Sequence, residues 1–184
     1  DLSRRDFTIN AIAMNANGKI IDPHDGQKDL EKKWIRSVGN AEDRFEEDAL
    51  RIMRAMRLSS ELNFKIEEKT QKALEKKANL LKLIAHERIR DEFSKIIMSE
   101  KPSLGLNTLR ESEILKIFLP ELIEGWGVGQ NKHHVYTVWE HNLNALDHAA
   151  KERWPLVVRM SALLHDIGKP RAKHGEGPDS TFYG

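Results

Sequence analysis

The 184-residue chain contains no cysteine, which excludes disulfides and thiolate metal sites. It also lacks any apolar run near the roughly 18 residues that a membrane-spanning helix requires, so no membrane partner is expected. Nor is there an excess of one charge. Thirty Lys and Arg stand against 29 Asp and Glu, for a formal net charge of +1, so any polyanion must be drawn by local patches and not by a global field. Internal repeats and low-complexity tracts are missing as well. What is there is a charge-rich chain, 39% apolar, long enough for one sizeable core or two small ones and expected in the cytoplasm. Asp1 and Gly184 both read as cuts from something longer.

The pattern changes near residue 39. Before it, Ala11–Ala16 and Lys19–Asp22 flank the turn signal Asn17-Gly18 and predict a β-hairpin, Lys28–Lys33 suits one or two helical turns, and Ile35–Val38 reads as a short strand. Three short strands are too few for an independent sheet. After it no strand is expected. Helices are predicted from the Asn40 cap to about Leu58 or Ser60, from Glu67 to Leu83, His86 to Ser99, Pro102 to Arg110 and Glu113 to Phe118. Gly125, Gly127 and Gly129 mark a linker; further helices follow from Val135 to Lys151 and from Pro155 to His165-Asp166, and the tail from Lys173 reads as glycine-rich loop. Trp126, Trp139 and Trp154 are expected in the core.

Within the first of these helices, Phe45, Ala49, Ile52, Met53 and Met56 recur at i, i+4, i+7, i+8 and i+11, an amphipathic stripe. On its flank, at about 100° per residue, Asp48 and Arg51 would stand side by side, with Arg54 and Arg57 continuing round the helix. A carboxylate offers acceptors and a guanidinium a planar fork of donors, so such a pair suits a nucleobase edge, and the later arginines suit a triphosphate. Taken alone, the same residues also fit solvated i, i+3 and i+4 ion pairs worth a few tenths of a kcal/mol each, and both readings stay open on these residues. A second basic row, Lys69, Lys72, Lys76, Lys77 and Lys82, is interleaved with Glu67, Glu68 and Glu75. It reads as a solvated face, with RNA phosphate contact as the alternative.

Three motifs in order resolve the first ambiguity. Arg4-Arg5-Asp6-Phe7-Thr8-Ile9-Asn10 is followed by Asp22-Pro23, Gly26, Asp29-Leu30, Ile35-Arg36 and Val38-Gly39, and then by Arg44-Phe45-Glu46-Glu47-Asp48-Ala49-Leu50-Arg51. Over residues 1 to about 123 the chain resembles the bacterial tRNA nucleotidyltransferase and poly(A) polymerase family. The resemblance implies a mainly α fold: a small α/β remnant of a nucleotidyltransferase head (1–39), an all-helical neck (40–123) and a further helical domain (124–184). It implies template-independent addition of CMP or AMP to tRNA 3′ ends, with tRNA, CTP and ATP as partners. Asp48 and Arg51 would read the base, Arg5, Arg54 and Arg57 would contact the nucleotide, and Asp6 and Asn10 would support the site. In that family the Mg2+-binding carboxylates belong to a Gly-Ser and Asp-x-Asp pattern of the head, outside this chain, so no catalytic residue is assigned here and the isolated chain is expected to be inactive.

The remaining motif is His133-His134, His141 and His165-Asp166-Ile167-Gly168-Lys169. Imidazole and carboxylate donors suit a divalent metal. This part resembles the HD phosphohydrolase superfamily, which implies an incomplete metal site of His141, His165 and Asp166. The competing functions are therefore a metal-dependent HD phosphohydrolase or phosphodiesterase and a non-catalytic RNA-binding module. The isolated His24, His86, His148 and His174 read as surface or locally hydrogen-bonded residues.

Overall fold

A computed structural model describes residues 1–129, 135–175 and 181–182. The fold is mainly α, and the chain divides into two compact units, Asp1–Phe93 and Ser94–Gly184. No described helix is long and apolar enough to cross a membrane.

In the first unit, β1 (Ala13–Met14) and β2 (Ile20–Ile21) form the expected antiparallel hairpin. Gly18 turns it at φ 76°, a conformation that costs glycine little. Helix α1 (Gly26–Lys32) begins where Asp22 accepts hydrogen bonds from the Gly26 and Gln27 N–H groups at 2.7 and 2.9 Å. The buried Asp29 then ties α1 to its neighbours, accepting from the Thr8 hydroxyl at 2.7 Å and pairing with Arg36 at 3.0 Å. Strand β3 (Trp34–Ile35) pairs in parallel with β4 (Lys65–Ile66). That pairing corrects the expectation of no strand after Asn40: two residues of β4 carry no periodicity of their own and are extended only because β3 is there to bond.

The helix predicted from Asn40 to Leu58 or Ser60 is two helices, α2 (Ala41–Glu47) and α3 (Leu50–Leu62). Asn40 caps α2 as expected, its side chain accepting from Glu42 and Asp43 N–H. At Asp48 the backbone is extended, its Oδ1 accepts from Leu50 N–H at 3.1 Å and its carbonyl from Arg51 N–H at 3.0 Å. An aspartate favours capping over a helix interior, so the chain restarts there. The apolar stripe survives the break: Phe45, Ala49, Ile52, Met53 and Met56 are all buried. Helix α4 (Glu68–Lys77), capped by Glu67, a 3-10 turn (Ala78–Leu83) and α5 (His86–Met98) follow.

The second unit contains α6 (Pro102–Glu111), α7 (Leu115–Phe118), α8 (Pro120–Ile123), α9 (Val138–Lys151) and α10 (Leu156–Leu164). Helix α9 starts at Val138 and not Val135, because Thr137 and Glu140 form a reciprocal capping box. Asp147 on α9 accepts from the Ser103 N–H and hydroxyl at 3.1 and 2.6 Å and so caps α6. The buried Arg159 of α10 donates to the carbonyls of Trp154, Ile97, Ser99 and Ala150. Of the three tryptophans expected inside, only Trp139 is buried; Trp126 and Trp154 are exposed. The tail is not all loop: β5 (Lys173–His174) and β6 (Thr181–Phe182) form an antiparallel pair.

Candidate functional site

The α2–α3 junction gathers the charged residues of the first motif. Isolated bridging between Phe7 and Ser37 lays the segment after Arg5 against the strand end that follows β3. From there Asp6 reaches α3: Arg54 Nε and Nη2 lie 2.8 and 2.6 Å from Asp6 Oδ2, while Phe7 N–H and Asn10 Nδ2 donate to Oδ1 at 2.9 and 3.2 Å. Burial pushes the Asp6 carboxyl up; the Arg54 hydrogen bond and charge, with help from Asn10 and Phe7, more than offset it and hold the group below the usual carboxylate range.

Arg51 folds back over α2. Its Nη1 donates to the Arg44 carbonyl at 3.0 Å and to Glu47 Oε2 at 2.8 Å, and its Nη2 to the Arg4 carbonyl at 3.4 Å. Asp48 is not paired with Arg51. Its second carboxylate oxygen meets Arg88 Nη2 of α5 at 2.9 Å. Asp48 also lines an open cleft of about 420 Å3 with Glu47, Leu80, Leu83 and Arg88. Arg57 sits in an ion pair with Glu92 at 2.6 Å and with Glu61 at 2.8 Å. Arg5 is exposed. The structure thus brings Asp48, Arg51 and Arg54 to one junction, held by Asp6, Glu47 and Arg88, and places Arg57 in a cross-helix pair.

Arg88 and Glu92 were not expected at this site. Ile89, Glu92, Phe93 and Ile96 are spaced i, i+3, i+4 and i+7 and all four are buried, so Glu92 occupies a core position of an apolar stripe. A carboxylate at such a position needs a cationic partner, and that was the available signal.

The second constellation lies within the second unit. His141 is the fourth residue of α9; His165 is the C-cap of α10 and Asp166 follows it. His141 Nε2 and His165 Nε2 are 3.1 Å apart, and Asp166 Oδ2 lies 3.5 and 3.3 Å from them. Donors about 2.1 Å from one divalent ion are separated by roughly 3.0 to 3.4 Å, so the triangle has the dimensions of three ligands on one ion. His165 Nδ1 lies 2.8 Å from the Ala162 carbonyl. A carbonyl only accepts, so the proton sits on Nδ1 and the Nε2 lone pair faces the triangle. Asp166 Oδ2 is buried without a hydrogen bond, although Lys169 Nζ approaches it to 2.7 Å. Among the described residues this is the one group of three with ligand geometry. His133 and His134 lie outside the described residues. The carboxylates of the first motif are engaged within the protein: Asp22 accepts from the start of α1, and Glu47 pairs with Arg44 and Arg51.

The family described as the poly A polymerase head domain matches residues 1–36, and the one described as "Probable RNA and SrmB- binding site of polymerase A" matches residues 63–125. Over these residues the chain is similar to the tRNA nucleotidyltransferase and poly(A) polymerase family. Among curated members, the A-adding tRNA nucleotidyltransferase of Deinococcus radiodurans is 40% identical over the whole of this chain and 44% of its own length. The CCA-adding enzyme of Ligilactobacillus salivarius is 52% identical over 63% of this chain and 29% of its own. A solved family member, the CCA-adding enzyme of Bacillus stearothermophilus in complex with CTP, superposes with a TM-score of 0.66 at 36% identity, over 92% of this chain and 40% of that one. The chain therefore spans less than half the length of these family members.

Proposed function

We propose that this chain is the nucleotide-selecting and RNA-binding part of a template-independent tRNA nucleotidyltransferase that adds CMP and AMP to tRNA 3′ ends. Residues 1–39 would close its catalytic head, 40–123 form its neck and 124–184 begin an HD domain. The observation that carries this reading is the α2–α3 junction, where the extended backbone at Asp48 turns its carboxylate out of the helix and Arg51 is anchored beside it by the Arg4 and Arg44 carbonyls. Anchored donors and acceptors select a base edge without first losing side-chain freedom. CTP or ATP would replace the Glu47 and Arg88 contacts, and Arg54 and Arg5 would meet the phosphates. Arg57, locked between Glu92 and Glu61, would act by holding α3 against α5. Two Mg2+ ions, bound by carboxylates outside this chain, would supply the activation of the RNA hydroxyl; no step here depends on residues of this chain for that. The setting would be the cytoplasm.

The test is nucleotide choice. An Arg51→Ala variant of the full-length protein, given a tRNA lacking its 3′ end and each of the four nucleoside triphosphates, should lose its preference for CTP and ATP. Unchanged CTP and ATP use would refute the base-reading role.

A second reading is favoured by the His141–His165–Asp166 triangle: a divalent metal centre of HD type. Bound there, an ion would polarise a phosphoryl oxygen or activate a water. His165 and His141 would ligate through Nε2, and Asp166 through Oδ2, while Lys169 would offset the carboxylate charge. Metal content and Zn2+ or Mn2+ titration calorimetry of the chain and of its His165→Ala variant check this. Equal binding by the two would argue against it.

A further inference from the structure

Asp166 Oδ2 is claimed from two sides. It closes the triangle with His141 and His165, and Lys169 Nζ stands 2.7 Å from the same oxygen. The oxygen itself is buried. The side chains of His141, His165 and Lys169 are 32%, 42% and 27% exposed, so a solute can reach the group from solvent.

Three cations follow the His165-Asp166 pair closely, Lys169, Arg171 and Lys173. Arg171 is taken by the Glu124 carboxylate and Lys173 by the Gly129 carbonyl. Lys169 is the one of the three that turns to the triangle. Its backbone is pinned: its N–H donates to the Asp166 carbonyl at 3.0 Å, and the next turn is closed by the Arg171 and Ala172 N–H groups on the Gly168 carbonyl, both at 3.2 Å. The ammonium sits at the end of a flexible stem and can swing without moving that backbone.

Charge decides what this arrangement does. Ligating imidazoles are neutral, so among the described residues of the group Asp166 and Lys169 cancel. A divalent ion on the triangle adds positive charge that nothing in the group balances. The ion and the ammonium would also share one carboxylate oxygen, and like charges so placed in a partly buried site repel. Lys169 therefore weakens the hold of the triangle on a cation taken alone. A phosphoryl anion reverses this balance. It has one non-bridging oxygen for the ion and another for the ammonium, so it draws Lys169 off Asp166 and relieves the repulsion.

We propose that Lys169 is an exchangeable counter-cation that couples a divalent ion to a phosphoryl anion at the His141–His165–Asp166 centre. It holds Asp166 when no anion is bound and turns to a phosphoryl oxygen when one is. This rests on the metal-centre reading and adds to it a linkage, which is reciprocal: ion and anion tighten each other by the same factor. A lysine that only complemented the C-terminal end of α10 would leave metal affinity unmoved.

The experiment is titration calorimetry of Mn2+ into the EDTA-treated chain at constant pH, with and without inorganic phosphate held below its solubility limit with Mn2+. The unmodified chain is compared with Lys169→Gln and Lys169→Arg. Without phosphate, Lys169→Gln should bind Mn2+ about tenfold more tightly than the unmodified chain. Phosphate should tighten Mn2+ binding about fivefold or more in the unmodified chain and in Lys169→Arg, but no more than about twofold in Lys169→Gln. Equal Mn2+ affinity of the unmodified chain and Lys169→Gln in phosphate-free buffer, or an equal gain from phosphate in the two, overturns the proposal and leaves the metal centre standing. The unmodified chain also tests the idea without any variant, since no gain from phosphate there overturns it too. No Mn2+ binding by the unmodified chain, or binding that His165→Ala does not lower, removes the metal centre and the coupling with it.

Discussion

Replacing Arg54 with methionine isolates the contact that joins the Arg5-Asp6 motif to α3. Asp6 is 8% exposed, and Arg54 Nε and Nη2 both reach its Oδ2, at 2.8 and 2.6 Å. Removing the cation leaves a buried carboxylate with only the Phe7 N–H and Asn10 amide on its other oxygen. Breaking a fully buried pair costs about 3 to 5 kcal/mol. The Arg54 side chain is 34% exposed, so water already shares in screening the pair, and about 2 to 3 kcal/mol is the better expectation. At roughly 2 to 4 °C per kcal/mol for a chain of this size, Tm should fall by about 4 to 12 °C at pH 7. The sign of the pH dependence is a sharper check. The folded carboxyl is held below its ordinary range, so its contribution is fully present above the unfolded value near 3.9 and is lost as pH falls through the lower folded value. Without Arg54, burial dominates and Asp6 titrates higher, so the variant takes up its proton first. Urea unfolding of both proteins from pH 7 to pH 3.5 should therefore show a stability gap that narrows towards acid. A gap under about 0.5 kcal/mol, as for a solvated pair, or one that stays constant with pH, refutes the account.

The other expectations follow from single atoms. At Gly26 an added Cβ would lie 2.2 Å from the Thr8 carbonyl oxygen; neither backbone can yield freely, so Gly26→Ala should cost about 3 kcal/mol by urea unfolding, the upper range for overpacking. Arg159→Met strips donors from four carbonyls in the second unit, and hydrogen exchange should speed up in α9 and α10 while α3 is left protected. Thr137→Ala removes the capping box of α9, with an expected loss of about 1 kcal/mol.

What could be read in the sequence was whatever a local pattern encodes. The stripe from Phe45 to Met56 is buried because apolar spacing reports a face whether or not the backbone is continuous along it. The break at Asp48 was hidden by that same continuity: one aspartate preferring a cap to a helix interior outweighed an unbroken periodic signal. Strand β4 was invisible because its two residues are extended only by pairing with β3, some thirty residues earlier. The metal-type triangle was legible for the opposite reason. His165 and Asp166 are neighbours in sequence, and the Ala162 carbonyl that orients His165 is one helical turn away.

The same distinction decides how Arg51, Arg54 and Arg57 divide their work. They recur every third residue and nothing local separates them. Their partners do. Arg57 meets Glu92, a carboxylate set into the apolar stripe of α5, with only 15% and 6% of the two side chains exposed. A pair so enclosed holds two helices together and is costly to open for a ligand. Arg54 meets the buried Asp6 but keeps a third of its own surface in solvent. Arg51 is anchored on two backbone carbonyls and pairs besides with the half-exposed Glu47, and that one carboxylate is given up at little cost. The repeat is thus divided by its partners and not by exposure, which is 15% for Arg57, 34% for Arg54 and 18% for Arg51. Arg57→Ala should accordingly lower stability more than Arg51→Ala while changing nucleotide choice least of the three, whereas Arg51→Ala should change nucleotide choice most. Equal effects of the two on both measurements would contradict this division.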